Sequence, residues 1–396
     1  MTADVFAVDA CRTPIARVKG SLAGERPDHL TAAVIAALVA RNPALPADQI
    51  DDVYWGAANQ AGEDNRNVAR MGVLLAGLPT GVPGATVNRL CGSGMEAVTA
   101  AARAIACGEA DICLAGGTES MTRAPFVMQR PDAPYPRDVA LVDTRLGWRL
   151  VSPRMKELYP PISLGETAEK VAARYGVSRQ AQDEWALRSH QLAATAQAKS
   201  CFDDEIVPVE TSVASVFKAD ELIRPDLTAD QLAARPPAFA PGGSVTAGNS
   251  SPLSDGAAGL LLMSGRAVRA TGVTPLARYV STATAGVHPD YMGMGPSPAL
   301  AKLTARTGRA LGEVDIFELN EAFASQVVAV IADLGIDAER TNVNGGAIAL
   351  GHPIAGSGAR ITVTGLHQLR RSGARMLATA MCIGVGQGIA TMWEAA

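Results

Sequence analysis

The hexapeptide Gln49-Ile50-Asp51-Asp52-Val53-Tyr54 has a counterpart in Glu313-Val314-Asp315-Ile316-Phe317-Glu318, and Thr86-Val87-Asn88 has one in Asn342-Val343-Asn344. Each pair is followed by a stretch with helical periodicity and then by an apolar run, Ala110 to Gly117 in the first half and Arg375 to Cys382 in the second. A duplicated α/β unit is the simplest account. Two such units packed about a pseudo-twofold axis bring the residues after Asn88 close to those after Asn344. Periodicity predicts strands at 5–8, 52–55, 86–88, 112–115, 257–263, 276–282, 315–318, 342–344, 375–381 and 389–393. It predicts helices at 30–41, 68–75, 298–307, 323–334 and 358–370, and one more after position 91. Such alternation implies a largely parallel sheet covered by helices. After Met121 the texture changes to Pro, Arg and aromatic residues, then to helices at 167–175 and 179–199 and irregular chain to Pro241. The expected division is a first half from 1–120 and 242–270, an inserted region 121–241, and a second half 271–396.

Chemistry concentrates where the repeats end. Val87-Asn88-Arg89-Leu90-Cys91-Gly92-Ser93-Gly94-Met95 runs from a strand into a helix whose apolar face is Met95, Val98, Ala101, Ala102 and Ile105, with Gly108 as its stop. Cys91 therefore sits on a strand-to-helix elbow, where the positive end of the helix dipole predicts a thiol pKa below the usual value of about 8.5. Gly92 and Gly94 are expected to keep side chains away from the sulfur and to supply the backbone angles of a tight elbow, and the Cys91 N–H is placed to hold an oxyanion. A buried, inert cysteine is the competing account. In the second half His352 lies in the glycine-rich loop Asn344 to Pro353, suited to a general base for Cys91 or to a histidine merely hydrogen-bonded in a turn. Cys382 ends a strand in Met381-Cys382-Ile383-Gly384-Val385-Gly386-Gln387-Gly388, where its thiol either exchanges protons or packs, and Gly384 offers an unhindered N–H. Asn320, in Asn320-Glu321-Ala322-Phe323-Ala324, either caps a helix or fixes a water. The glycine-rich run 384–388 is no dinucleotide loop, since a strand and not a helix follows it.

Composition narrows the classes. At 396 residues, 48% hydrophobic and only 4% aromatic, the chain has small aliphatic side chains enough for a large core and no need of disulfides. Its six cysteines include no CxxC pair and its five histidines are scattered, so no metal site is expected. A formal net charge of −4 without a run of Lys or Arg gives nucleic acid and anionic membranes no footing. No apolar run nears the roughly 18 residues of a membrane span. Met1 leads almost directly into the first strand, so a cytoplasmic protein without an export signal is expected.

The segments VNRLCGSGMEAV, TAGNSSPLSDGAA, LNEAFA, NVNGGAIALGHPIAGSGAR and MCIGVGQG, in that order across essentially the whole chain, resemble the thiolases. The resemblance implies the thiolase fold, an α/β architecture of two duplicated five-layered α-β-α-β-α halves with an inserted loop domain that receives coenzyme A. It implies a homotetramer or homodimer with CoA thioesters as partners and no tightly bound cofactor. The activity it implies is reversible, CoA-dependent cleavage of 3-oxoacyl-CoA through an acyl-cysteine, with Cys91 as nucleophile, His352 as its activating base, Cys382 as second acid/base and Asn320 holding the catalytic water. His352 and that water would form one oxyanion hole, and the N–H groups of Cys91 and Gly384 the other. Coenzyme A would meet Arg224 beside the adenine, Phe239 and Ser251 along the pantetheine, and Met292 and Phe323 at the acyl end. Ser163-Leu164-Gly165 departs from the His-Met-Gly of acetoacetyl-CoA-forming thiolases. The Cys382 loop and Ala124-Pro125-Phe126-Val127-Met128 are more similar to thiolases that cleave 3-oxoadipyl-CoA. Arg123, Arg130 and Arg137 either meet a terminal carboxylate or are solvated surface. Three other classes share part of the pattern: a ketoacyl synthase ordinarily lacks the second acid/base cysteine, a cysteine hydrolase releases acid to water, and a non-catalytic lipid-binding relative has no need to retain Cys91, His352 and Cys382.

Overall fold

The computed structural model describes residues 3–135, 137–212 and 215–396. The first half contributes β1 (Val5–Arg12), β2 (Ala16–Arg17), α1 (Pro27–Arg41), β3 (Asp52–Gly56), α2 (Val68–Leu75), β4 (Ala85–Val87), α3 (Ser93–Cys107) and β5 (Ile112–Ser120). A long excursion carries β6 (Phe126–Met128), β7 (Leu141–Asp143), α4 (Pro153–Leu158), α5 (Leu164–Tyr175), α6 (Arg179–Ala198) and α7 (Ala229–Ala233), and the chain returns as β8 (Ser254–Ser264) and α8 (Gly265–Thr271). The second half follows with β9 (Ala277–Gly286), α9 (Pro296–Thr307), β10 (Ile316–Leu319), α10 (Ala324–Leu334), α11 (Ala347–Leu350), α12 (Ser357–Ser372), β11 (Met376–Ile383) and β12 (Gln387–Ala395).

Duplication is written in the strand order, β4-β3-β5-β8-β1 continuing as β9-β12-β11-β10. In the first half β3 is parallel to β4 and β5, and β8 is antiparallel to β5 and β1. In the second half β10 is parallel to β11, and β12 is antiparallel to β11 and β9. The halves join edge to edge through the pairs Phe6↔Arg278 and Ala7↔Ala277. The expected strand at 342–344 is not formed; its remnant is a single parallel bridge, Phe317↔Thr341. The reason is Asn342, which turns the chain at φ 50°. Its amide accepts from the Leu319 N–H (2.8 Å) and donates to the Leu319 carbonyl (2.8 Å), so a side chain replaces main-chain pairing there.

Side-chain alternation explains the layering. On β8, Ala258, Leu260 and Leu262 face a central cluster, while Ala257, Leu261 and Met263 face outward against α1 and α2. The central cluster joins Val98, Ala101, Ala102 and Ile105 of α3 to Ala359, Val363, Leu366 and Leu369 of α12 and to strand residues of both halves. A third cluster seats α9 and α10 on the far face of β11 and β12. Five layers result, with the two halves sharing the helical layer in the middle. Crossing there is close because the contact positions are glycine: a Cβ at Gly94 would lie 2.6 Å from the Ala355 carbonyl oxygen, and one at Gly358 would lie 2.7 Å from the Met95 nitrogen. Helix α3 stops at Gly108 (φ 79°), as its sequence predicts. Among the described residues no helix is long and apolar enough to cross a membrane.

Candidate active site

Strand β4 ends at Val87, and the chain reaches α3 by an elbow in which Leu90, not a glycine, takes the left-handed conformation (φ 49°). The expectation for the backbone angles of Gly92 and Gly94 is thus corrected. Gly92 has ordinary angles (φ −82°, ψ 3°) and Gly94 lies in the first turn of α3, and what both supply is room, since a Cβ on Gly92 would lie 2.6 Å from Ile383 Cδ1. Ser93 Oγ accepts from the Arg89 N–H (2.9 Å) and donates to the Leu90 carbonyl (2.6 Å). Arg89 pairs with Glu96 (2.9 Å) and donates to Gln387 Oε1 (3.1 Å), tying the elbow to β12.

Cys91 is half-buried, against Leu90, Met95, Ile383 and Ile389. Its thiol is pushed up by burial, against the pull of the Gly384 and Cys91 N–H groups directed at it, with Glu119 raising it further. The lowering expected from the helix dipole is therefore outweighed by desolvation. A thiol of this kind reacts only with a base that takes its proton during attack. His352 is in the state for that role: burial first, then Arg360, lower its pKa to about 4, so the ring is neutral at pH 7. The His352 N–H donates to Ser254 Oγ (3.2 Å), and Nδ1 meets Ser357 Oγ at 2.5 Å. With Nδ1 engaged, Nε2 is left for chemistry. Cys382 is buried, its thiol pushed far above the usual range by burial and by the neighbouring Cys91. Asn320 does not cap a helix. Phe323 occupies the N-cap of α10, and the Asn320 amide is fully buried with neither atom hydrogen-bonded among the described residues. An amide so placed is costly until a polar group reaches it.

Glu119 was not singled out by the sequence, although it is the lone acid in the run from Ile112 to Met121. It accepts from the N–H groups of Ala58 (3.1 Å), Asn59 (3.2 Å) and Ala355 (3.2 Å), binding the loop after β3 to the turn after His352. Burial raises its pKa to about 7 despite these three bonds. Ser357 and Arg360 were likewise invisible, because their relevance depends on where α12 docks.

A cavity of about 260 Å³ opens beside Cys91, lined by Leu90, Glu119, Arg145, Leu146, Trp148, Arg149, Ile162, Leu164, Ile354 and Gly384 among others. Of its apolar wall, Leu164 and Val385 stood out in the sequence, the first as a departure and the second in the Cys382 loop. Met292 and Phe323 do not line this cavity; they pack around Cys382 with Ala168, Val245 and Ala322. Phe239, 38% exposed, meets Phe323 edge-on at 6.0 Å. Ser251 bonds the Ala322 carbonyl through both its N–H (3.1 Å) and its Oγ (3.0 Å). Arg224 is apart, on an open depression shared with Leu227, Gln231 and Arg235. Arg123 is engaged by Glu63 in a two-point ion pair, and Arg130 and Arg137 are exposed; none of the three lines the Cys91 cavity. Among the described residues no group of three His, Cys, Asp or Glu side chains is arranged to hold a metal ion.

The family model for the thiolase N-terminal domain matches residues 5–266, and that for the thiolase C-terminal domain matches residues 273–395. A beta-ketoadipyl-CoA thiolase of Pseudomonas putida is 53% identical over 396 residues, 99% of each chain. A 3-oxoadipyl-CoA/3-oxo-5,6-dehydrosuberyl-CoA thiolase of Escherichia coli K12 is 49% identical over 397 residues, again 99% of each. The crystal structure of human mitochondrial 3-ketoacyl-CoA thiolase in complex with CoA superposes with a TM-score of 0.93 at 37% identity, covering 100% of this chain and 98% of the other.

Proposed function

The chain belongs to the thiolase family, an acyltransferase that cleaves 3-oxoacyl-CoA with coenzyme A, and we propose that its preferred substrate is 3-oxoadipyl-CoA, split into acetyl-CoA and succinyl-CoA. β-Ketoadipyl and 3-oxoadipyl are two names for one acyl group, and the 53% identity along 99% of both chains is the observation that carries the reading.

In the proposed mechanism Cys91 Sγ attacks the C3 ketone while its proton passes to neutral His352. The N–H groups of Cys91 and Gly384, which face the sulfur at rest, receive the developing oxyanion; a donor of this kind is worth about 3–4 kcal/mol in enzymes that use one. The C2–C3 bond then breaks, its electron pair forming the acetyl-CoA enolate, which His352 and a water on Asn320 stabilise and Cys382 protonates at carbon. Coenzyme A enters along Arg224, Phe239, Ser251, Met292 and Phe323, gives its thiol proton to Cys382 and attacks the acyl-Cys91 carbonyl. That step returns Cys91 to its thiol with the proton held by His352. Neutral partners suit this sequence, because neither buried sulfur carries charge until substrate is in place. The exposed apolar side chains Phe126, Met128 and Leu141 on the β6–β7 hairpin favour a dimer or tetramer that covers them.

A thiolysis panel with acetoacetyl-, 3-oxohexanoyl-, long-chain and 3-oxoadipyl-CoA tests the reading, together with mass analysis of the acyl-enzyme. The highest kcat/KM should belong to 3-oxoadipyl-CoA, and the succinyl mass to the peptide holding Cys91. A preference for acetoacetyl-CoA, or acylation elsewhere, would refute it.

A further inference from the structure

Resting on that choice of substrate, we propose that Arg145 and Arg149 form the subsite for the distal carboxylate, both in the 3-oxoadipyl thioester and in the succinyl group on Cys91. The argument begins with the cavity's charge. Among its described lining residues Glu119 is the one carboxylate, held beside the thiol by three backbone N–H groups, while Arg145 and Arg149 are the two cations. Leu90, Leu146, Trp148 and Ile354 give the same cavity its apolar walls. An acyl group on Cys91 therefore shares one cavity with apolar side chains and two guanidinium groups. A four-carbon chain ending in a carboxylate presents both the apolar surface and the anion that such a lining matches.

Neither guanidinium is fully committed elsewhere. Arg149 Nη1 donates to the Thr144 carbonyl (2.8 Å), a bond that aims the group without neutralising it. Arg145 Nε is buried with no hydrogen-bond partner among the described residues, and its Nη2 lies 3.6 Å from Asp143 Oδ2, an ion pair on an aspartate that is 45% exposed. Arg123, by contrast, is closed by Glu63. The loop that carries the pair is anchored to the site: Asn59 Nδ2 donates to Thr144 Oγ1 (2.8 Å), Thr144 Oγ1 donates to the Pro125 carbonyl (2.5 Å), and the Asn59 N–H is one of the three on Glu119. Gly147, at φ 82°, turns the loop so that Arg145 and Arg149 both line the cavity. Two planar guanidinium groups, each able to donate two parallel N–H bonds, match a carboxylate where a lysine or an amide would not.

The test is the ratio of kcat/KM for 3-oxoadipyl-CoA to that for 3-oxohexanoyl-CoA, which has the same chain length and no carboxylate. The ratio is taken within each variant, so any loss of folded enzyme cancels. Arg145→Gln and Arg149→Gln should each lower it about 10- to 100-fold, the range for a lost charge-assisted hydrogen bond. Arg149→Lys should lower it less, since the charge remains and the fork is lost. If the parent favours 3-oxoadipyl-CoA and both glutamine variants keep its ratio, the subsite is wrong and the substrate stands. If the parent prefers 3-oxohexanoyl-CoA, the substrate reading falls and the subsite with it.

Discussion

Gly94→Ala should cost far more turnover than stability. An added Cβ would lie 2.6 Å from the Ala355 carbonyl oxygen and 3.0 Å from the Ala359 nitrogen, where ordinary contact begins at 3.4 Å. Both obstacles are main chain, so about 0.8 Å must be found by moving α3 away from the turn that opens α12. Overpacking of that size typically costs about 1–3 kcal/mol. Spread over the unfolding entropy of a chain this long, it lowers Tm by only about 1–4 °C. Ala355, however, follows His352 by three residues and gives its N–H to Glu119. Displacing it moves the base relative to the thiol, and an error of about 1 Å costs about 100-fold in rate. The assay is a calorimetric melt beside steady-state thiolysis, with Gly81→Ala as control because a Cβ there meets nothing within 4 Å. A Gly94→Ala enzyme with wild-type kcat, or one whose activity falls only in step with its folded fraction, would refute the coupling.

Three further outcomes are expected. The acid limb of kcat/KM should fall near pH 4 to 5 and not near 6.5, because His352, its pKa lowered to about 4, stays neutral and able to accept a proton until then; a limb at 6.5 that persists in Glu119→Gln, which removes the cavity carboxylate whose pKa is about 7, would mean a solvated ring. The same shift gives stability that rises with pH between about 4 and 6.5, where the unfolded histidine binds a proton that the folded one refuses, and an acid titration of Tm reads its sign. Cys382→Ala should still acquire an acetyl mass on Cys91 from acetyl-CoA yet lose exchange of the methyl protons in heavy water by about 100-fold or more. Wild-type exchange in that variant would assign the proton transfer to another group.

Most of the architecture was legible because its signals are local. Helix α2 (Val68–Leu75) and the stop of α3 at Gly108 follow from apolar spacing and a left-handed glycine. What escaped was whatever depends on distant chain. Strand β5 was expected to end at Ala115, before the two glycines, but it continues buried to Ser120 because Gly116 and Gly117 fit tightly against Ala258 and Ala355. That extension is what delivers Glu119. The Cys91 thiol pKa was misread for the same reason: the elbow's dipole is written in the sequence, whereas its burial by Ile383 and Ile389 belongs to a hairpin nearly three hundred residues later. The arginines named from the sequence do not line the Cys91 cavity whereas Arg145 and Arg149 do, and nothing local distinguishes these two from Arg123, whose partner Glu63 comes from the first half.

The place of β1 in the sheet sets a schedule for the ribosome. Its two neighbours, β8 and β9, begin at Ser254 and Ala277. Apart from a bridge between its last residue, Arg12, and Ile206, about 240 residues must therefore emerge after β1 before it can join the sheet, roughly 12 to 50 s at a synthesis rate of about 5–20 residues per second. Throughout that time Val5, Ala7, Ala10 and Cys11, all destined for the interior, belong to a strand with both edges open. A nascent chain stalled before residue 254 is thus the form most prone to aggregate, and one released after 264 has β8, the strand that covers the longer-paired of the two β1 edges.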